Sequence, residues 1–107
     1  MSSKQYQKGA RFELEIVHFL EENGIPARRV PLSGASASMP DDVLIDDTKF
    51  RVECKRRKKL PKYLVEWLDS CGLGVMREDR GSQLWFMTQD IFIELLQAYI
   101  RDKELNS

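Results

Sequence analysis

No apolar run in this chain approaches the roughly 20 residues that a membrane-spanning helix needs, and its first residues, MSSKQYQKGARFE, lack the apolar core of a signal peptide. A soluble, cytoplasmic protein is therefore expected, with no membrane partner. Cysteine is scarce: Cys54 and Cys71 have neither metal-ligand spacing nor the density of a disulfide scaffold, so reduced packing residues are expected. There is one histidine, His18, which helical projection puts on a polar face as a surface residue. Low-complexity stretches and internal repeats are absent as well. The 107 residues fit a single domain, 1–107, long enough to bury its own core.

Net charge is also missing, which by itself argues against a nucleic-acid partner, but the zero conceals an asymmetry. Residues 1–62 hold thirteen Lys or Arg against nine Asp or Glu, a balance of +4, and residues 63–107 hold four against eight, a balance of −4. The basic excess is densest at Lys55, Arg56, Arg57, Lys58, Lys59 and Lys62. Two readings fit this run: a track for a phosphate backbone, through charge attraction and counterion release, or a solvated loop.

What is present is a regular alternation of patterns. Phe12, Ile16, Phe19 and Leu20 recur at helical spacing from about Gly9 to Asn23, and Asn23-Gly24 followed by Pro26 ends that helix. Ala27 to Val30 reads as a short strand, and Pro31 to Pro40 as a Ser/Gly/Ala loop whose backbone can approach a ligand. Val43 to Ile45 and Phe50 to Lys55 read as strands of a hairpin turning at Asp46–Lys49. Beyond Pro61, the run Tyr63, Leu64, Trp67, Leu68 and Cys71 predicts a second helix ending at Gly72. Leu73 to Met76 and Leu84 to Met87 predict a second hairpin with a charged tip, whose Arg77 and Arg80 read better as a solvated turn than as DNA contacts. Thr88 or Asp90 caps a last helix along Ile91, Phe92, Leu95, Leu96 and Tyr99, with a tail from Arg101 that frays. The order is αβββαββα.

On a strand, Glu53 and Lys55 point to one side and Val52 and Cys54 to the other. A neighbouring strand entering from Asp42 brings a second carboxylate toward Glu53, so two carboxylates and a lysine converge. Such oxygen ligands, completed by a backbone carbonyl and waters, suit Mg²⁺, with Mn²⁺ as substitute. A lone Glu-x-Lys commonly marks only an exposed strand edge carrying an ion pair. Here the apolar Val43-Leu44-Ile45 and Val52 place the charges at the ends of buried strands, where charge without a partner is costly. Glu13 falls inside the apolar arc of the first helix, between Leu20 and Val17, and there also two readings stand: a metal shell, or a buried pair with Arg11, Arg28 or Arg29.

Lys8-Gly9-Ala10-Arg11-Phe12-Glu13, Arg29-Val30-Pro31-Leu32-Ser33-Gly34-Ala35, Pro40-Asp41-Asp42-Val43 and Glu53-Cys54-Lys55-Arg56 together resemble the archaeal-type Holliday junction resolvases, most closely their phage-encoded branch, within the PD-(D/E)xK nuclease superfamily. The resemblance covers roughly residues 8 to 60. It implies an α/β, restriction-endonuclease-like core, a central mixed β-sheet flanked by helices. It further implies a Mg²⁺-dependent endonuclease, acting as a homodimer that nicks two opposed strands of a four-way DNA junction and leaves 5′-phosphates. Catalytic residues would be Glu13, Ser33, Asp42, Glu53 and Lys55, and metal ligands Asp42, Glu53, the Cys54 carbonyl and Glu13. Asp42 is preferred to Asp41 because it directly precedes the apolar strand. Candidate DNA contacts are Lys8, Arg11, Arg29, Ser33, Arg56, Arg57, Lys58, Lys59 and Lys62. No small-molecule cofactor is expected. Rival readings are a nicking, flap or restriction-like endonuclease with the same centre, or a non-catalytic DNA-binding module of the same fold.

Overall fold

The computed structural model describes residues 2–30 and 42–106. The chain is α/β and forms two compact units, Met1–Arg57 and Lys58–Ser107. The element order is the expected αβββαββα: α1 (Ser2–Glu22), β1 (Ala27–Arg29), β2 (Val43–Ile45), β3 (Arg51–Val52), α2 (Lys62–Cys71), β4 (Leu73–Met76), β5 (Leu84–Met87) and α3 (Gln89–Leu105).

In the first unit, α1 begins several residues earlier than its apolar pattern requires. It ends as its sequence dictates. Gly24 takes a left-handed φ of 79°, and the Ile25 and Gly24 N–H groups donate to the Leu20 and Glu21 carbonyls at 2.9 and 3.0 Å. This paired closure satisfies two carbonyls that a helix end otherwise leaves bare, and glycine adopts its turn without a Cβ penalty. The chain then turns back so that β1 and β2 pack on α1. Val17, Leu20, Ile25, Ala27, Val43 and Ile45 are buried there and form the core of this unit. The alternation in β2 sends Val43 and Ile45 inward and leaves Leu44 half-exposed on the opposite face.

The three strands form an antiparallel sheet in the order β1-β2-β3, with Ala27, Arg28 and Arg29 opposite Ile45, Leu44 and Val43, and Val43 and Leu44 opposite Val52 and Arg51. Asp46 to Phe50 join β2 to β3. Asp47 is left-handed there (φ 59°), and the Thr48 hydroxyl donates to the Ile45 carbonyl while accepting the Phe50 N–H.

In the second unit, α2 ends at Gly72 (φ 80°), whose N–H donates to the Leu68 carbonyl at 2.8 Å. β4 and β5 pair antiparallel, Leu73 opposite Met87 through Met76 opposite Leu84. Gly74 is needed at close range, because a Cβ there would lie 2.5 Å from the Phe86 ring. Ile93 and Leu96 of α3 are buried, whereas α2 buries no residue fully.

Among the described residues the strands form two antiparallel sheets, β1-β2-β3 and β4-β5, within the expected α/β class. Three expectations change. β3 stops at Val52, short of Lys55. The last helix continues through its polar tail to Leu105, because Arg, Asp, Lys, Glu and Leu all tolerate a solvated helix. Cys71 is exposed rather than packed.

Candidate active site

Asp42 lies one residue before β2 and is tied down at three points. Its carbonyl accepts the Val30 N–H and its own N–H donates to the Val52 carbonyl, each at 3.0 Å. Its carboxylate Oδ2 accepts the Cys54 N–H at 2.7 Å. Since Val43 is the residue paired with Val52, two consecutive residues, Asp42 and Val43, address one residue of the partner strand. An irregularity of this kind re-aims a side chain at a sheet end, and here it turns the carboxylate onto the backbone beyond β3. The bond is charge-assisted and short, as expected of a carboxylate accepting an amide.

Glu13 stands on α1, whose packing on β1 and β2 carries it to the same end of the sheet. Its side chain is only 15% exposed, and Oε1 accepts Arg29 Nε at 2.9 Å. The partner of this inward-facing carboxylate is therefore Arg29, one of the three arginines the sequence offered. Cys54 reports where both acids are. Burial first, then the negative charges of Asp42 and Glu13, push its thiol up from 9.0 to about 11. The thiol is therefore protonated at neutral pH.

Glu53 and Lys55 lie beyond the end of β3, yet the alternation persists: Arg51, Glu53 and Lys55 are exposed and Val52 and Cys54 half-buried. The two charges share a side, with Lys55 Nζ 3.8 Å from Glu53 Oε1. The described site residues thus meet in pairs, Asp42 with Cys54, Glu13 with Arg29 and Glu53 with Lys55. Among the described residues, no three His, Cys, Asp or Glu side chains gather into a ready metal cage. Mg²⁺ needs no such cage, because it keeps several waters and is commonly held by one or two carboxylates. The hard oxygen donors of Asp42 and Glu13, whose negative charges both act on Cys54, fit that ion.

Arg56, Arg57, Lys58, Lys59 and Lys62 are all exposed, as is Arg11, and Lys62 pairs with Glu66 at 3.6 Å across one helical turn. His18 is exposed, as expected. Ser33, Asp41 and the side chain of Lys8 lie outside the described residues. The Asp42–Cys54 bond was not foreseen. The only sequence signal for it was the apolar strand directly after Asp42, which fixes the position and not the direction of the carboxylate.

The family model described as Archaeal holliday junction resolvase (hjc) matches residues 4–85. The chain belongs to that family. The match runs from within α1 into β5 and so includes every element that bears the candidate site. No curated protein and no solved structure matches the chain. Membership in the archaeal Holliday junction resolvase family carries junction-resolving nuclease activity and a branched-DNA substrate, and the α/β architecture is consistent with its restriction-endonuclease-like fold.

Proposed function

We propose that this resolvase is a Mg²⁺-dependent endodeoxyribonuclease that cuts four-way junctions by paired nicks, leaving 5′-phosphates, and that Asp42, Glu53, Lys55, Glu13 and Ser33 form its centre. The observation that carries the reading is the anchoring of Asp42, whose backbone and carboxylate are fixed by Val30, Val52 and Cys54. A residue so constrained presents its second carboxylate oxygen in one place, as a metal ligand must.

Asp42, Glu53 and the Cys54 carbonyl would hold Mg²⁺, or Mn²⁺ in its place, with Glu13 acting through water. Bound there, the ion would stabilise charge on the scissile phosphate and acidify the attacking water. Lys55, more than half exposed and 3.8 Å from Glu53, would orient the water or neutralise charge building on the phosphate. Arg29, which donates to Glu13 Oε1 at 2.9 Å, would orient that carboxylate. Ser33 would position the phosphate, and the leaving group is the 3′ oxygen.

Two copies of the chain would place one centre on each of two opposed strands. The exposed rings of Tyr63 and Trp67, 4.9 Å apart on α2, offer apolar surface for such a homodimer. Recognition would rest on branched shape and phosphate position, with little base readout.

The test is incubation with Mg²⁺ and a labelled four-way junction beside flap, nicked and linear duplexes, for wild type, Asp42→Ala and Lys55→Ala. Symmetric junction nicks lost in both variants support the reading. Linear duplex cut as fast as the junction sinks junction selectivity, and full cleavage by both variants sinks the site.

A further inference from the structure

The face of the three-stranded sheet opposite α1 is not apolar. Register puts Arg28, Leu44 and Arg51 in one row across β1, β2 and β3, and residues directly opposite on antiparallel strands project from the same face. Both arginines are exposed, Arg28 with 72% of its side chain open to solvent. An open recess of about 480 Å³ lies on this face, lined among others by Arg28, Leu44, Lys49 and Arg51, with Asp46 and Asp47 at its turn end.

Along β3 the same face continues toward the candidate active site. Lys49, Arg51, Glu53 and Lys55 occupy alternate positions and all four are exposed, while Phe50, Val52 and Cys54 between them are half-buried. β3 itself is only Arg51–Val52, and these side chains continue its outward face on either side as a ridge, cationic at every step except Glu53. Level with Arg51 the basic surface widens across β2 to Arg28 on β1.

We infer that Arg28, Lys49 and Arg51 form a second phosphate-binding surface, which holds the backbone of a DNA arm along β3 and leads it to Glu53 and Lys55. The inference rests on the DNA substrate proposed above and extends the contact surface beyond the basic run after Lys55. Guanidinium groups suit the task, since each presents several donors in a planar fork that matches phosphate oxygens. Asp46 stands 3.5 Å from Arg28 Nε in a pair open to water. A pair this exposed is weak, so Arg28 takes a phosphate beside Asp46 or in exchange for it. Leu44 stands between the two arginines at the centre of the row. The competing account is that charge merely protects an edge strand from pairing with another chain. That account requires no DNA contact.

Binding of a fluorescent four-way junction, measured without divalent metal across a range of salt concentrations, separates the two. For Arg28→Gln/Arg51→Gln the slope of log affinity against log salt should fall in magnitude by about 2, one for each phosphate no longer neutralised. Arg28→Lys/Arg51→Lys should keep a slope close to wild type, and Arg101→Gln/Lys103→Gln, which removes the same charge from α3, should leave it unchanged. A wild-type slope in the Gln variant overturns the ridge, and so does an equal loss in the Lys or the α3 variant. Wild-type protein that binds and shows this pattern but cuts no junction leaves the ridge standing and removes the proposed activity instead.

Discussion

The carboxylate of Asp42 accepts the Cys54 N–H at 2.7 Å, locking the entry to β2 onto the chain that leaves β3. This bond spans the two segments that carry the proposed metal ligands, so it bears on both shape and chemistry. Asp42→Asn keeps the size of the side chain and can still accept through its carbonyl, whereas Asp42→Ala leaves the Cys54 N–H without this partner. The Ala variant should lose about 2 kcal/mol of stability, typical of a hydrogen bond to a charged group, and the Asn variant much less. Both should cut a junction at least about 100-fold more slowly than wild type. Thermal melts and single-turnover cleavage check the two halves separately.

Glu13 and Arg29 form a largely buried ion pair at the site, 2.9 Å long with side chains 15% and 29% exposed. Removing one partner of such a pair leaves the other stranded. Arg29→Ala should therefore destabilise by about 2 kcal/mol, and Glu13→Gln in the same background should recover part of that loss. A double-mutant cycle by urea denaturation reads the coupling. If Glu13 also serves a metal-bound water, Glu13→Gln alone will reduce cleavage far more than it reduces stability.

The Cys54 thiol, pushed up to about 11 by burial and by Asp42 and Glu13, should contrast with exposed Cys71. A shift from 9.0 to about 11 leaves Cys54 with about 100-fold less thiolate than an ordinary cysteine at pH 8. Titration with a chromogenic disulfide should show one fast and one slow thiol, and Asp42→Asn should speed the slow one by removing a charge that opposes ionisation. Because the folded-state value is raised, the folded chain binds this proton more tightly than the unfolded chain. The corresponding stability is fully present below pH 9 and is lost as pH rises through about 11. Melting temperature followed from pH 8 to 11 should fall less in Cys54→Ala than in wild type.

Much of this arrangement was legible because it follows from periods and turn residues. Val43–Ile45, Leu73–Met76 and Leu84–Met87 emerged with the expected bounds, since apolar runs between turn residues leave little freedom. Gly24 and Gly72 stopped their helices where a left-handed residue was needed. Glu13 was marked by its place in the apolar arc, but projection on a helix names no partner, and only the packing of α1 on β1 selects Arg29 from the three arginines. The convergence expected at Asp42 and Glu53 assumed a regular ladder up to Lys55. The ladder ends at Val52, and the doubled address of Asp42 and Val43 to that residue turns the carboxylate toward Cys54. Such a departure depends on how three strands fit together and leaves no mark in composition or periodicity. The row of Arg28, Leu44 and Arg51 was illegible for another reason: each arginine sits among other charges in sequence, and only register makes them neighbours of Leu44.

Lys55 offers the sharpest separation of chemistry from folding. It pairs with Glu53 at 3.8 Å, and both side chains are more than half exposed. An ion pair in that setting contributes roughly 0–1 kcal/mol, so Lys55→Ala and Lys55→Gln should melt within a few degrees of wild type. The half-buried neighbours Val52 and Cys54 hold the backbone in place whether or not the ammonium is present. Cleavage depends on that ammonium if it orients water or neutralises charge on the phosphate, and both variants should then lose about 100-fold or more in single-turnover rate. Lys55→Arg keeps the charge but replaces a compact ammonium with a broad planar fork that cannot occupy the same point. It should bind a junction as wild type does and still cut slowly. Junction binding and cleavage measured in parallel on these three variants decide the matter, and a Lys55→Gln protein that cuts at the wild-type rate would remove Lys55 from the chemistry.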